Sequence, residues 1–190
     1  RFNTKSLNPI ENTALFIFLN RTCFNGLYRV NNKGLFNVPF GRYANPKICD
    51  KQTIFADSEL LQKVEILTGD FENTLTYATS NSLFYLDPPY KPLSNTSCFN
   101  SYSKEAFNDL EQVRLSNFCK RIDLLGHYFI LSNSDVKGKN SNDDFFNDLY
   151  NQFNIKKVLA NRLVNANTKK RGKITELLIT NQQNNQNRDY

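Results

Sequence analysis

The chain is poor in the residues that hold metals and bridge backbones. It has one histidine, His127, and four cysteines, Cys23, Cys49, Cys98 and Cys119, with no Cys-x-x-Cys pair. No cluster of zinc ligands can be drawn from that set, and scattered thiols fit a reduced, intracellular protein. No apolar run approaches the roughly 20 residues of a membrane span. Arg1-Phe2-Asn3 opens without signal-peptide architecture and without an initiator methionine. The seven glycines include no Gly-x-Gly spacing. What is present is 39% hydrophobic residues with 13% aromatics, in 190 residues. That is enough for one domain with a real core, or one domain with an inserted lobe.

The net charge of +6 is unevenly laid out. Residues 1–47 carry seven Lys/Arg against one acid, 48–148 carry nine against fifteen, and 149–190 carry eight against two. Two basic flanks around an acidic middle fit a polyanion held by both ends of the chain, or equally two solvated faces.

Periodicity predicts a buried helix over 11–23, where Ala14, Leu15, Phe18 and Leu19 recur at helical spacing. Two β-prone runs, Leu27–Val30 and Leu35–Val38, flank Asn31-Asn32-Lys33-Gly34, which is the pattern of a hairpin. A short helix is expected at 57–63, a strand at Val64–Leu67, and a helix at 71–79. A central strand at Leu83–Leu86 follows, then a long helix over 104–125 and a strand at Tyr128–Leu131. A helix at 142–152 and strands Ile155–Leu159 and Ile174–Ile179 complete the pattern. Strands alternating with helices imply an α/β sheet with crossover connections. His127 reads as a strand-edge residue, and the Asn/Gln-rich end from Asn181 as a disordered tail.

The stretch LFYLDPPYKPLS, residues 83–94, carries the chemistry. Pro88 and Pro89 cannot donate to a ladder and must end the strand, delivering Asp87 to its carboxyl end. Ligands of open α/β sheets bind at such ends. A carboxylate, fixed peptide carbonyls and an aromatic ring suit a planar base with an exocyclic amino group. Asp87 and the Pro88 carbonyl would accept from the amino hydrogens, and Tyr90 would stack on the ring. A base inside duplex DNA would have to be flipped out to reach them.

Asp87-Pro88-Pro89-Tyr90 resembles the catalytic tetrapeptide of amino-methylating DNA methyltransferases. With its surroundings it is similar to the DNA adenine methyltransferase family whose members methylate adenine in GATC. Pro92-Leu93-Ser94, Thr96, Phe99 and Tyr102 follow at that family's spacing. Asn20-Arg21, Phe24-Asn25-Gly26-Leu27, Arg29, Asn31 and Phe36–Tyr43 resemble its target-recognition hairpin, and Thr168–Lys173 with Ile174–Leu178 its C-terminal end. The resemblance implies that Asp87, Pro88, Pro89 and Tyr90 are catalytic, with S-adenosylmethionine as methyl donor beside Asp70, Phe71 and Asp87. It implies double-stranded DNA as partner. Arg29 would read guanine, Leu27 and Pro39 would touch thymine methyls, Phe24 and Asn25 would lie at the vacated base, and Asn31 would bind DNA from the same hairpin. Arg42, Lys169, Lys170 and Arg171 would contact phosphates, with plain solvation the equal alternative for any one lysine. Ser132-Asn133 would shape the pocket wall, a purely structural role being the equal alternative. For Asp70, Phe71, Phe24 and Leu27, ordinary capping or core packing is the competing reading.

The family's aromatic-x-Gly-x-Gly cofactor turn, the acidic ribose ligand and the N-terminal lysine and aromatic have no counterpart in this chain. The expectation is therefore a Rossmann-like methyltransferase α/β sheet, incomplete with its first strands absent. An inserted helical plus β-hairpin DNA-recognition lobe would occupy 1–56, the catalytic part 57–180 and the tail 181–190. A preceding segment or a second chain would complete the cofactor site, and these residues alone would expose a bare strand edge and be inactive. The protein is expected in the cytoplasm, at the nucleoid, with no metal and no membrane. A DNA-binding module without catalysis, and a methylase of amino groups in RNA or protein, are the alternatives.

Overall fold

In the computed structural model, which describes residues 7–93, 107–161 and 173–182, the chain divides into two units, Arg1–Thr68 and Gly69–Tyr190. The first unit begins with helix α1, Pro9–Thr22. The Asn8 side chain accepts from the Glu11 N–H at 2.9 Å while Glu11 Oε2 accepts from the Asn8 N–H at 3.1 Å, a reciprocal cap with proline at the first turn. The expectation of a buried helix is corrected. Only Leu19 and Thr22 of α1 are buried, and Phe16 is 48% exposed. Among the described residues the unit's core is three buried side chains, Leu19, Cys23 and Phe36, too few to cover the whole apolar face.

The hairpin forms where Asn31–Gly34 signals it. The Asn31 N–H donates to Leu35 O at 2.9 Å and the Gly34 N–H to Asn31 O at 2.8 Å, with Gly34 at φ +73°, a conformation glycine adopts without cost. Its arms meet in two isolated antiparallel bridges, Val30↔Phe36 and Cys23↔Phe40, rather than a continuous ladder. Helix α2 spans Lys51–Leu61, six residues earlier in its start than expected, because Asp50 caps it by accepting from the Thr53 N–H. The expected boundary at residue 56 thus falls inside a hydrogen-bonded helix, and the units part after Thr68. Val64–Leu67 is not a strand. No described strand runs beside it, and Val64, Ile66 and Leu67 are exposed.

The second unit holds a four-stranded sheet of order β1-β2-β4-β3, from β1 (Leu83–Leu86), β2 (Tyr128–Ser134), β3 (Asn154–Asn161) and β4 (Lys173–Thr180). β1 and β2 are parallel, joined through α3, Asp109–Leu124, which Asn108 caps by accepting from the Leu110 and Glu111 N–H groups. The expected crossover pattern holds only there. β4 runs antiparallel to both β2 and β3. The strand expected to be central, β1, is an edge strand among the described residues, with Leu83 60% and Tyr85 67% exposed.

α3 buries Leu115, Phe118, Cys119 and Ile122 against Phe129 and Leu131 of β2 and Leu177 and Ile179 of β4. Burying each of these leucine, isoleucine and phenylalanine side chains contributes about 1.5–3 kcal/mol. The expected helix at 142–152 reduces to α5, Phe145–Leu149, preceded by the single turn α4, Val136–Lys139, and the one at 71–79 is a 3₁₀ helix, Phe71–Tyr77. Residues 104–106 of the long helix lie outside the described residues. Asn181, expected in a disordered tail, is instead stitched to the sheet end. It accepts from the Phe129 N–H at 3.0 Å and donates to His127 O and Asp123 Oδ1, both at 2.8 Å. A single amide thereby satisfies a donor and an acceptor where the ladder stops. Residues 183–190 lie outside the described ones. Among the described residues, no helix is long and apolar enough to cross a membrane.

Candidate active site and recognition hairpin

The ladder between β1 and β2 closes at Leu86↔Leu131. The next residues are Asp87 on one strand and Ser132 on the other, and the Ser132 hydroxyl donates to Asp87 Oδ1 at 2.9 Å. The carboxylate is thus aimed at a strand end while remaining exposed. Burial pushes the Tyr90 phenol above its usual range; the Ser132 hydroxyl opposes the shift, and the Glu176 and Asp87 carboxylates add to it. Tyr90 therefore stays neutral at physiological pH.

Beyond the prolines the chain is fastened on the protein side. Gln112 Nε2 of α3 donates to Pro89 O at 3.1 Å, and Gln112 Oε1 accepts from Asn133 Nδ2 at 3.1 Å. Asn133 Oδ1 accepts from the Lys91 N–H at 3.1 Å and the Ser134 hydroxyl donates to Lys91 O at 2.7 Å. Gln112 and Asn133 are fully buried. The Lys91 ammonium pairs with Asp109 and lies 4.2 Å from the Phe145 ring centroid.

An open cleft of about 460 Å³ runs along β1, lined by Phe71, Phe84, Asp87, Pro88, Pro89 and Phe107 among others. Of the expected cofactor residues, Phe71 and Asp87 share this cleft. Asp70 stands next to it, and its carboxylate is engaged: it caps the 3₁₀ helix, accepting from the Glu72 N–H at 2.9 Å, and pairs with Arg114. Arg114 holds the Asp70 carboxyl below the usual range. The same guanidinium binds Glu72 at 2.9 Å and Glu111 at 2.7 Å and lies 4.5 Å from the Phe71 ring centroid.

In the first unit, Arg29 Nε donates to Asn37 Oδ1 at 2.8 Å and one of its Nη groups to Asn37 O at 3.2 Å. Its guanidinium is thereby held across the hairpin while the residue stays exposed. Asn31 serves the turn, its Oδ1 accepting from the Lys33 and Leu35 N–H groups at 2.9 and 3.1 Å. Phe24 and Leu27 are 41% and 46% exposed, so neither is a core residue. Asn25 has φ +54° and its N–H donates to the Tyr43 hydroxyl at 3.0 Å. Pro39 is exposed and its carbonyl accepts from the Phe24 N–H. Arg42 is exposed at φ +56°. Gly41 has no room for a side chain, since a Cβ would stand 2.7 Å from Cys23 O. Lys169, Lys170 and Arg171 lie outside the described residues.

The family model of D12 class N6 adenine-specific DNA methyltransferases matches residues 1–164. The chain belongs to that family. It is 51% identical over 180 residues to the Type II methyltransferase M.MjaIII of Methanocaldococcus jannaschii, covering 94% of this chain and 60% of that protein. It is 44% identical over 177 residues to the Type II methyltransferase M1.LlaDCHI of Lactococcus lactis subsp. cremoris, covering 92% of this chain and 60% of that protein. Against a DNA adenine methylase of Haemophilus influenzae the identity is 36% over 185 residues, covering 94% of this chain and 59% of the other. The chain thus spans about 60% of the length of these relatives.

Within this D12-class chain, sequence reasoning missed Gln112 and Arg114. Both sit in a helix rich in charge and pass for surface. The available signal for Gln112 was its place three and four residues before Leu115 and Ser116, on the face that continues into Cys119 and Ile122. Arg114 carried no comparable signal, because its partners Asp70 and Glu72 are more than forty residues away in sequence.

Proposed function

We propose that this chain carries the catalytic and target-reading parts of an S-adenosylmethionine-dependent enzyme that methylates the N6 amino group of adenine in double-stranded DNA, within GATC. The observation that carries the reading is Asp87. It lies at a strand's carboxyl end, oriented by Ser132, on a cleft it shares with Phe71 and the two prolines. S-adenosylmethionine supplies an electrophilic methyl group when bound. The cleft fits its adenosine part, with aromatic walls at Phe71 and Phe84 beside a carboxylate. Asp87 and the Pro88 carbonyl accept hydrogen bonds from the adenine amino group, favouring a pyramidal nitrogen whose lone pair is withdrawn from conjugation with the ring, and Tyr90 stacks on the flipped base. As the methyl group passed to the amino nitrogen its bond to the donor's sulfonium sulfur would break, the thioether leaving as S-adenosylhomocysteine, and the amino proton would pass to solvent by way of Asp87.

In the same proposal Arg29 reads a guanine, with Leu27 and Pro39 against thymine methyls and Phe24 and Asn25 at the gap left by the base. Arg42, Lys169, Lys170 and Arg171 hold phosphates. The edge of β1, unpaired among the described residues, and the 60% span against relatives support a further segment or second chain that pairs there and completes the cofactor site. A DNA substrate places the enzyme in the cytoplasm, at the nucleoid. Titration calorimetry of the full-length protein tests the reading. Saturable binding of S-adenosylmethionine and of a GATC duplex over a scrambled one is expected. DNA binding without cofactor binding would reduce the protein to a DNA-binding module, and equal affinity for RNA would point to another amino-group substrate.

A further inference from the structure

Gln112 belongs to no part of the recognition or cofactor reading, yet it is wholly buried and spends both ends of its amide on the motif's far side. The geometry around the prolines shows what that can do. The rings of Pro88 and Pro89 lock φ at both residues. A following proline confines Asp87 and Pro88 to extended ψ. The first backbone torsion past Asp87 that no covalent restraint holds is ψ of Pro89. The carbonyl that reports this torsion is the one bonded by Gln112 Nε2 at 3.1 Å.

We infer that Gln112 and Asn133 form one positioning device for the reaction, resting on the proposed function above. Asn133 sets which way the Gln112 amide faces by donating from Nδ2 to Oε1. Gln112, so turned, presents its N–H to Pro89 and stops Tyr90 from swinging about ψ of Pro89. Asn133 also holds the next residue by accepting from the Lys91 N–H. The Tyr90 ring is thereby fixed relative to Asp87 and the covalently restrained Pro88 carbonyl, without either side chain touching substrate. A misplacement of about 1 Å at such a point costs on the order of 100-fold in rate.

Two variants of the full-length enzyme test this. Gln112→Met keeps the bulk and removes the donor. Asn133→Asp keeps the acceptor for the Lys91 N–H and replaces the Nδ2 donor by an oxygen. The Gln112 amide then turns its NH₂ toward the carboxylate and its oxygen toward Pro89 O, and the bond to Pro89 is lost although Gln112 is still present. Each single variant is expected to lower kcat about 100-fold, with KM for S-adenosylmethionine and Kd for the duplex unchanged. The double variant should be no worse than either single one beyond about twofold, since both break the same link. Unfolding midpoints are measured alongside, and if Gln112→Met does not fold, Asn133→Asp carries the test. Wild-type kcat in either folded variant overturns the inference, as does multiplication of the two losses or a parallel loss of cofactor and DNA affinity. A wild-type enzyme that binds DNA but methylates no adenine sinks the underlying reading instead, and the inference with it.

Discussion

Arg29 is the residue at which sequence reading and geometry make the most quantitative demand. Two of its N–H groups, on Nε and one Nη, are spent on Asn37 Oδ1 and O. Among the described residues nothing else engages the outer Nη edge, which suits a bidentate contact with guanine O6 and N7. Arg29→Ala is expected to cost about 1–3 kcal/mol of binding to the cognate duplex, roughly 5- to 150-fold in Kd. The loss should fall on one guanine, so substituting that base no longer changes the affinity of the variant. Asn37→Ala isolates the tether. It leaves the charge and the fork but frees a rotamer-rich side chain, a penalty of roughly 1–2 kcal/mol. Arg29→Lys keeps charge without the fork and should resemble Arg29→Ala in specificity. Fluorescence anisotropy on a panel of single-base variants, at fixed salt, reads all three. A uniform loss across the panel, with a salt slope reduced by one phosphate contact, would refute base reading and leave Arg29 a backbone contact.

Other outcomes follow from the second unit. Phe129→Ala, which empties a fully buried site where Phe153 packs edge-on at 4.9 Å, should destabilise by about 3–5 kcal/mol in urea unfolding. Burial pushes the Cys119 thiol up from 9.0 to about 12, and burial raises its neighbour Tyr150 too. A raised folded pKa means this contribution to stability is fully present below about pH 9 and is lost as pH rises toward 12, a slope that Cys119→Ala should flatten. At pH 8 in native conditions, iodoacetamide should modify exposed Cys49 and spare buried Cys23 and Cys119, as read by peptide mass spectrometry. Arg114→Ala releases the Asp70 carboxyl and uncovers Phe71, so it should raise KM for S-adenosylmethionine and leave DNA affinity unchanged.

The parts of the fold legible in the sequence were those written by local chemistry. β1 runs Leu83–Leu86 as read, because two prolines stop any ladder, and the hairpin turns at Gly34 because that position takes positive φ. The helix before β2 was legible in its apolar spacing, with its start displaced to the Asn108 cap. What escaped depends on distant partners. Val64–Leu67 has a strand's composition and no neighbouring strand among the described residues. Asn181 gains its order from Phe129 and His127 across the sheet end. At the candidate site, Asp87 and Tyr90 were conspicuous, while Ser132, Gln112 and Asn133 take their meaning from contacts at separations of 21 to 45 residues. Asp70 was read as a cofactor ligand or a cap; the structure has it capping a 3₁₀ turn and paired with Arg114.

The most direct trial of the account is to follow labelled methyl groups from S-adenosylmethionine into duplex DNA and identify the modified nucleoside by mass spectrometry. The expected product is N6-methyladenine, formed by the wild-type enzyme and absent with Asp87→Ala, which should still bind the duplex. N4-methylcytosine as the product, or N6-methyladenine formed at the wild-type rate without the Asp87 carboxylate, would contradict it.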